Sequence, residues 1–449
     1  METIFRPRTL VLFLGDIFFF IFALWLSLFL RTFRVPSEAL LASYIPPFLF
    51  LFIVWIVVFF IAGLYESRSI IFPRRAISAT LFIAQTVNVI FAALFFFLFP
   101  VFGIEPKTIL FIYLIISFLS VSAWRLVLFP RLGLQKTEAA IVIGEGKEID
   151  ELIKVLANAP LAPARVAAVI RPSAGQVSKG ISSAVDFYQP RFIIADFSDT
   201  RVAAAFPELY NFLSRGIRFF DGMELYEEIF GRVPLSQIDD MWLARNVSRY
   251  AHVLYDAVKS LMDILLGTLL GCISLLLYPF IALAIISEDG FPVCIVQDRV
   301  GEDNKLVRIY KFRSMSGNDN GKYGVSGSSA LHVTKVGAFL RAWRLDELPQ
   351  LWNVVQGNLS LIGPRLEFPT LVAQYEQSIP YYGVRHLIKP GLSGWAQLYY
   401  HDDPHHAANV EATKMKLAYD LYYLKHRSLA LDAIIALKTV RRLLIKGNA

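Results

Sequence analysis

DILLGTLLGCISLLLYPFIALAIISE, Asp263 to Glu288, carries no charge between its two ends. As one straight helix, residues 264–286 reach about 35 Å, enough for a hydrocarbon core of about 30 Å. Pro279 lies inside the run. A proline in a helix interior removes a backbone donor and drives its ring against the carbonyl four residues back, which kinks or breaks the helix. Two short arms suit a segment that dips into the bilayer and returns to the face it left. A fifth spanning helix with a proline kink is the alternative, and it would place everything downstream on the opposite face.

Toward the N-terminus, four apolar runs are long enough to cross a bilayer: residues 10–30, 45–64, 79–102 and 109–129. The first lacks a small-residue cleavage site and is expected to be a retained anchor. Arg6, Arg8, Arg68, Arg74, Arg75, Arg131 and Lys136 flank one side of these spans, against Arg31, Arg34 and Lys107 on the other. The positive-inside rule then puts both ends of the unit in the cytoplasm. Asp16 and Arg125 fall within or at the edge of spans, where charge is costly. Arg125 is expected to snorkel from a helix end.

The 449 residues are 55% apolar, with a formal charge of +7 and two cysteines, Cys272 and Cys294. This argues against a disulfide framework and a Cys-ligated metal. The positive charge beside long apolar segments reads as attraction to anionic head groups and phosphorylated substrates, and nucleic acid is not an expected partner.

After Lys136 short β-rich runs alternate with helical ones: 139–143, 149–156, 164–170, 191–195 and 217–220. That is the pattern of a small parallel, Rossmann-like α/β domain. Its first turn, Gly144-Glu145-Gly146, opens like a dinucleotide fold, yet Ile149 occupies the place of the third glycine. A structural or regulatory role is therefore expected. The domains are placed at 1–135 (four-helix transmembrane unit), 136–245 (α/β) and 246–449 (an α-rich catalytic part with the proline-broken helix at about 264–286).

Downstream the chain reads Gln297-Asp298-Arg299-Val300-Gly301, Tyr310-Lys311-Phe312-Arg313-Ser314-Met315, and a Gly/Ser/Asn-rich segment at 316–329. In a strand, Lys311 and Arg313 share one face, opposite Tyr310 and Phe312. Two cations on one face suit a phosphate pair. Arg341, Arg344, Asp346 and Glu347 follow, then Gly363-Pro364-Arg365. Adjacent carboxylates alone mean little, since Asp150-Glu151 is another such pair. Among arginines, however, one carboxylate can hold a hard divalent ion while the other acts on phosphorus, and the arginines bind phosphate oxygens in pairs. A structural salt-bridge cluster is the competing reading of these residues alone.

The ordered run Lys311-Phe-Arg-Ser-Met315, Leu345-Asp-Glu-Leu-Pro-Gln-Leu-Trp-Asn-Val354, Gly357-Asn-Leu-Ser-Leu-Ile-Gly-Pro-Arg365 and Lys389-Pro-Gly-Leu-Ser-Gly-Trp-Ala-Gln397 resembles the bacterial sugar transferases, the monotopic phosphoglycosyl transferases. The matching extends upstream to Lys259 and Asp263 and downstream to Tyr419-Asp420-Leu-Tyr-Tyr423, covering roughly 255–445. The four-span unit and α/β domain are similar to the long members of that family. Leu366 departs from the usual proline, and Ala330-Leu331-His332 stands where the family commonly has an acid and an arginine.

The resemblance implies a UDP-sugar donor, a polyprenyl (undecaprenyl) phosphate acceptor and Mg²⁺. It implies that Asp346 is the nucleophile in a two-step reaction and that Glu347 is the metal ligand. Lys311, Arg313, Arg341 and Arg365 would neutralise phosphates, with Arg385 a further substrate-binding candidate. It also implies a re-entrant helix broken at Pro279. Both soluble parts would then face the cytoplasm at the bacterial inner membrane, initiating exopolysaccharide, capsule or O-antigen units. Self-association stays open.

Lys438, Arg441, Arg442 and Lys446 suit either an interfacial helix on anionic lipid or a basic face of a packed helix. His401-Asp402-Asp403-Pro404-His405-His406 is expected to be a solvated loop rather than a metal cluster. The rivals are a membrane-bound nucleotide-sugar dehydratase or epimerase, for which Tyr255 and Lys259 have the Tyr-x-x-x-Lys spacing, and an inactive assembly scaffold.

Overall fold

The computed structural model describes residues 6–65, 74–98, 107–132, 138–158, 164–172, 177–205, 207, 210–247, 253–317, 331–400 and 409–446. The histidine-rich stretch at 401–406 and most of the Gly/Ser/Asn-rich segment at 316–329 lie outside the described residues. The chain divides into two compact units, Met1–Ile229 and Phe230–Ala449.

The first unit opens with four helices, α1 (Arg6–Thr32), α2 (Glu38–Ile61), α3 (Arg74–Leu98) and α4 (Lys107–Ala123). The second begins earlier than its apolar run because Ser37 caps it, accepting the N–H of Leu40. By length and composition, Leu10–Thr32, Glu38–Ile61 and Thr108–Leu128 can cross a membrane, whereas the apolar part of α3 among the described residues, Thr80–Phe96, is shorter. Their shared core is aromatic, built on Phe20, Phe48, Trp55, Phe59 and Tyr113.

Arg125 does not snorkel. It lies in a turn of π-helix, Trp124–Leu128, that continues α4, and its guanidinium is buried against Asp16. Its Nε donates to Asp16 Oδ1 at 3.0 Å, one terminal nitrogen pairs with Oδ2, and the other donates to the Leu64 carbonyl at 3.2 Å. Tyr65 donates to the same carboxylate at 2.6 Å. An ion pair in apolar surroundings persists only when its remaining donors and acceptors are satisfied, and here the bundle supplies them.

The rest of this unit is a four-stranded parallel sheet, β1 (Glu138–Ile143), β2 (Ala164–Ile170), β3 (Phe192–Ala195) and β4 (Arg218–Asp221), in the order β2-β1-β3-β4. The central strand β1 is buried from Ala140 to Ile143, as a parallel strand covered on both faces must be. Ile149 is fully buried and fills the space beneath Gly144 and Gly222. Above it Arg171 donates to the Gly144 carbonyl at 3.1 Å and pairs with Asp150 at 2.5 Å.

In the second unit α5 (Val253–Leu275) is also long and apolar enough to cross a membrane, by length and composition. Its pattern is inverted relative to a water-soluble helix: Asp263, Gly267, Gly271 and Ser274 form the buried stripe. Leu261, Leu265, Leu269 and Ile273 are exposed. Small residues allow close approach, and Gly267 and Gly271 pack against Val354 and Trp352. The helix ends at Leu275 and, after two intervening residues, a second, α6 (Tyr278–Asp289), begins with Pro279 in its first turn. The break follows from the proline, which has no N–H to offer the carbonyl of Leu275.

Beyond it come a hairpin of β5 (Cys294–Val300) and β6 (Leu306–Phe312), then α7 (Lys335–Ala342). A parallel pair follows, β7 (Ser360–Ile362) and β8 (Gly391–Ser393), with the helices α8 (Trp395–Tyr399), α9 (Val410–His426) and α10 (Leu429–Lys446). Tyr375, Tyr382, Trp395, Leu421 and Tyr423 centre the core. Residues 230–245, read from the sequence as the end of the α/β domain, pack in this unit. The Val233 N–H donates to the Ala418 carbonyl at 3.0 Å, and the indole of Trp395 donates to the Gly231 carbonyl at 2.6 Å.

Candidate active site

The hairpin β5–β6 forms one wall of a cavity of about 480 Å³. Alternation along the strands brings Ile295, Gln297 and Arg299 from β5, and Ile309, Lys311 and Arg313 from β6 and its exit, to the cavity side. The shared face read for Lys311 and Arg313 is thus the cavity face. Arg299 joins them, a residue the sequence reading quoted without assigning it a role. Strand β6 is held on its other edge by Asn353. This fully buried amide donates to the Arg308 carbonyl at 2.8 Å and accepts the Tyr310 N–H at 3.2 Å, standing in for a neighbouring strand.

The opposite wall carries the carboxylates. Helix α7 ends at Ala342, and Arg344 then takes a left-handed conformation (φ 53°, ψ 26°) before a turn of 3-10 helix from Leu345 to Gln350. A non-glycine residue there is strained by roughly 1–2 kcal/mol. The turn sends Leu345 and Leu348 into the apolar cluster around Ile281, Ile285, Phe312 and Leu340. It leaves Asp346 and Glu347 facing the cavity.

Glu347 is surrounded by cations: Arg344 at 3.3 Å, Arg365 at 3.5 Å and Lys311 at 3.8 Å. Burial alone would raise its pKa, but Arg365, Lys311 and Arg344 outweigh it and hold the carboxyl at about 2. Asp346 is shifted the other way. Burial raises its proton affinity, the neighbouring Glu347 raises it further, and Lys311 and Arg341 only partly offset this. Lys311 is pulled down to about 8 by burial, with Glu347 opposing and Arg365 and Arg299 adding to the fall. Two adjacent carboxylates driven in opposite directions are suited to different tasks.

Arg365 reaches the cavity from a turn that depends on close backbone approach. A side chain on Gly363 would strike the Lys389 carbonyl and the Gly391 nitrogen, so only glycine lets β7 and β8 meet. The turn is pinned from behind by Arg385. This guanidinium is buried, donates to the Arg365 carbonyl at 2.9 Å and to the Tyr382 hydroxyl at 2.7 Å, and pairs with Asp420 at 2.8 Å. Among the described residues that line the cavity, Arg385 is not one. Its observed contacts are with the Arg365 backbone, the Tyr382 hydroxyl and Asp420, since a buried guanidinium needs such acceptors around it.

Arg313 lines the cavity, but its terminal nitrogens are engaged on the carbonyls of Asp289 and Gly290 at 2.6 Å and Phe291 at 3.0 Å, and it pairs with Asp289 at 3.2 Å. Lys438 and Arg442 of α10 turn inward, to the Tyr399 hydroxyl and the Gln397 carbonyl. Arg442 and Gln397 therefore belong to the cavity rim. Gln397 was signalled by the Trp395-Ala-Gln397 motif, and Arg442 only as one of the basic residues of the C-terminal helix. Tyr255 and Lys259 both donate to Asp432, at 2.8 and 3.0 Å, and so tie α5 to α10.

Among the described residues seven cations, Arg299, Lys311, Arg313, Arg341, Arg344, Arg365 and Arg442, line the cavity against three carboxylates, Asp346, Glu347 and Glu367. Such an excess suits a polyanion such as a diphosphate. Among the described residues no cluster of three or more metal-ligating side chains occurs. Mg²⁺ is commonly held by one or two carboxylates with phosphate oxygens and waters completing its shell, and an ionised Glu347 beside Asp346 fits that donor set.

A family model described as bacterial sugar transferase matches residues 254–446, the segment that builds this cavity. The chain is 37% identical over 258 residues to the UDP-N-acetylgalactosamine-undecaprenyl-phosphate N-acetylgalactosaminephosphotransferase of Aeromonas hydrophila, covering 56% of this chain and 58% of that one. It is 38% identical over 187 residues to the UDP-glucose:undecaprenyl-phosphate glucose-1-phosphate transferase of Escherichia coli strain K12, covering 41% and 39%. The match thus spans about half the length of these two relatives or less. To the exopolysaccharide production protein PSS of Rhizobium leguminosarum bv. phaseoli it is 35% identical over 174 residues, 38% of this chain and 86% of that shorter one. Because a relative 35% identical is covered over 86% of its length, and the family model spans the residues that carry Asp346 and Glu347, the chain belongs to the bacterial sugar transferase family.

Proposed function

We propose that the chain transfers a sugar 1-phosphate from a UDP-sugar to polyprenyl phosphate at the cytoplasmic face of a bacterial inner membrane. The nucleoside monophosphate would be released and a lipid-linked diphosphate sugar formed, the first step of a surface polysaccharide. The observation that carries this reading is the opposite titration of two adjacent carboxylates in a cation-rich cavity. No single sugar is singled out, since relatives named for N-acetylgalactosamine and for glucose match at similar identity.

In the first step an oxygen of ionised Asp346 bonds to the β-phosphorus. The bond from that phosphorus to the bridging oxygen breaks, and its electron pair leaves with the nucleoside monophosphate. In the second step an oxygen of the lipid phosphate attacks the same phosphorus, and the bond to Asp346 breaks to restore the carboxylate. Lys311, Arg341 and Arg365 stabilise charge on the transferring phosphoryl oxygens, which is the main help such a transfer needs. Mg²⁺, when bound, would be held by Glu347 and would neutralise diphosphate charge. Arg344 and Arg365 orient Glu347 for this.

The membrane geometry belongs to the same reading. Segment α5–α6 enters the bilayer and returns, which is supported by bonds from the carboxylates that bracket its uncharged stretch to the same compact unit: Asp263 accepts the Leu361 N–H, and Glu288 accepts those of Lys335 and Val336. A cysteine introduced just after Glu288 should label from the cytoplasmic side only. For the chemistry, a panel of UDP-sugars is offered with polyprenyl phosphate to the purified chain in lipid, and released UMP is measured. Asp346→Asn should release none; near-normal release would sink the covalent step.

A further inference from the structure

Residues 264–286 are uncharged, and the carboxylates that bracket them, Asp263 and Glu288, each hold backbone N–H groups. Asp263 is buried, and its Oδ1 accepts the N–H of Leu361 at 3.1 Å. Glu288 accepts two, from Lys335 on one oxygen and Val336 on the other, both at 2.7 Å. Charge-assisted bonds of this kind are roughly twice as strong as neutral ones.

Each set of donors opens a segment that delivers an arginine to the cavity. Leu361 lies in β7, which runs directly into Gly363-Pro364-Arg365. There the Ser360 N–H donates to the Pro390 carbonyl at 2.9 Å and the Gly363 N–H to the Ser393 carbonyl at 2.8 Å, so a shift at Leu361 cannot be absorbed before Arg365. Lys335 and Val336 open α7, whose last turn carries Arg341 and which leads to Asp346. That helix is seated without slack: Thr334 caps the Gly337 N–H at 2.9 Å, and a side chain on Gly337 would collide with the Ser314 carbonyl. Neither Asp263 nor Glu288 lines the cavity.

We propose that Asp263 and Glu288 are positioning residues for the transfer reaction: each end of the apolar hairpin fixes one arginine-bearing segment, so the seating of the hairpin sets how Arg365 and Arg341 face Asp346. The inference rests on the transferase reading above. It makes the membrane segment part of the active-site frame rather than an anchor alone. It also predicts that the two ends act on different arginines.

Double-mutant cycles on the full chain in lipid nanodiscs test it. UMP release and UDP affinity by calorimetry are measured for Glu288→Ala, Arg341→Ala and their double, and for Asp263→Ala, Arg365→Ala and their double. Each single change should lower kcat roughly 10- to 100-fold, with a smaller change in KM, because the arginines act on charge that develops in the transition state. The matched doubles should be no more than about 2-fold worse than the arginine variants alone, since residues acting through one another are not additive. The crossed pair, Glu288→Ala with Arg365→Ala, should multiply. Glu288→Gln, which keeps one acceptor, should recover part of the loss, and it replaces the alanine variant if that one does not fold. Multiplicative losses in the matched pairs overturn the proposal. If the unmodified chain releases UMP from no UDP-sugar, the transferase reading fails instead, and the same cycles in UDP affinity still decide the positioning.

Discussion

Asp16 in the helical bundle of the first unit and Asp346 in the cavity of the second are both buried carboxylates beside arginine. Around Asp16 the charges balance: one guanidinium, one tyrosine hydroxyl and one backbone carbonyl complete the cluster. Around Asp346 they do not, because a second carboxylate and an excess of cations face an open cavity. A balanced buried pair locks two helices together. An unbalanced one beside free volume is ready for a charged ligand. Burial and charge type are alike at the two sites, and only the stoichiometry and the space separate a structural site from a chemical one.

The same substitution should therefore have opposite outcomes at the two sites. Asp346→Asn should lower turnover by roughly 10⁴-fold or more, the scale of losing a nucleophile. Because its pKa is raised in the folded chain, the ionised form opposes folding above that pKa and the penalty disappears as pH falls. The neutral amide should thus leave the thermal midpoint unchanged or higher. Asp16→Asn should do the reverse, destabilising the chain by about 3–5 kcal/mol by leaving Arg125 uncompensated, with the folded fraction still active. Thermal unfolding in detergent, read beside UMP release, separates the two. Equal losses of stability at both sites would break the comparison.

A smaller effect is expected at Lys311. Removing its charge with Lys311→Met should cost about 10²- to 10³-fold in kcat, the usual scale for one electrostatic stabiliser. The gentlest test is the pH profile of kcat/KM. Asp346 must be ionised, so activity falls as pH drops through a pKa that burial and Glu347 hold above the ordinary carboxylate range. Lys311 must be protonated, so activity also falls as pH rises past about 8. Lys311→Arg should remove the alkaline limb, since arginine keeps its charge there. An unchanged alkaline limb in that variant would assign it to another group.

Much of the cavity was legible because its elements are local. Period-two alternation put Lys311 and Arg313 on one face, and the motif order placed Arg341, Asp346, Glu347 and Arg365 together. The proline marked the end of α5 to within a few residues. Illegible were contacts between side chains far apart in sequence. Arg385 carries the same charge as Arg365 and lies in a neighbouring motif, yet it is buried against Asp420. Asn353 was part of a quoted motif, but its task as a surrogate strand edge depends on where β6 passes. Arg125 read as a snorkelling residue because Asp16, its partner, is 109 positions away.

Sequence alone determined where the chain must meet lipid, where its membrane segment must break and which pair of carboxylates lies among cations. These follow from hydropathy, from a missing proline N–H and from spacing, all properties of neighbours along the chain. Only the tertiary structure decided which arginines face the cavity and which support it, and that Glu347 is held ionised while Asp346 resists ionisation. The physical reason is that burial and Coulomb interactions depend on distance through space, and Lys311, Glu347 and Arg365 become neighbours only once three separate segments have packed.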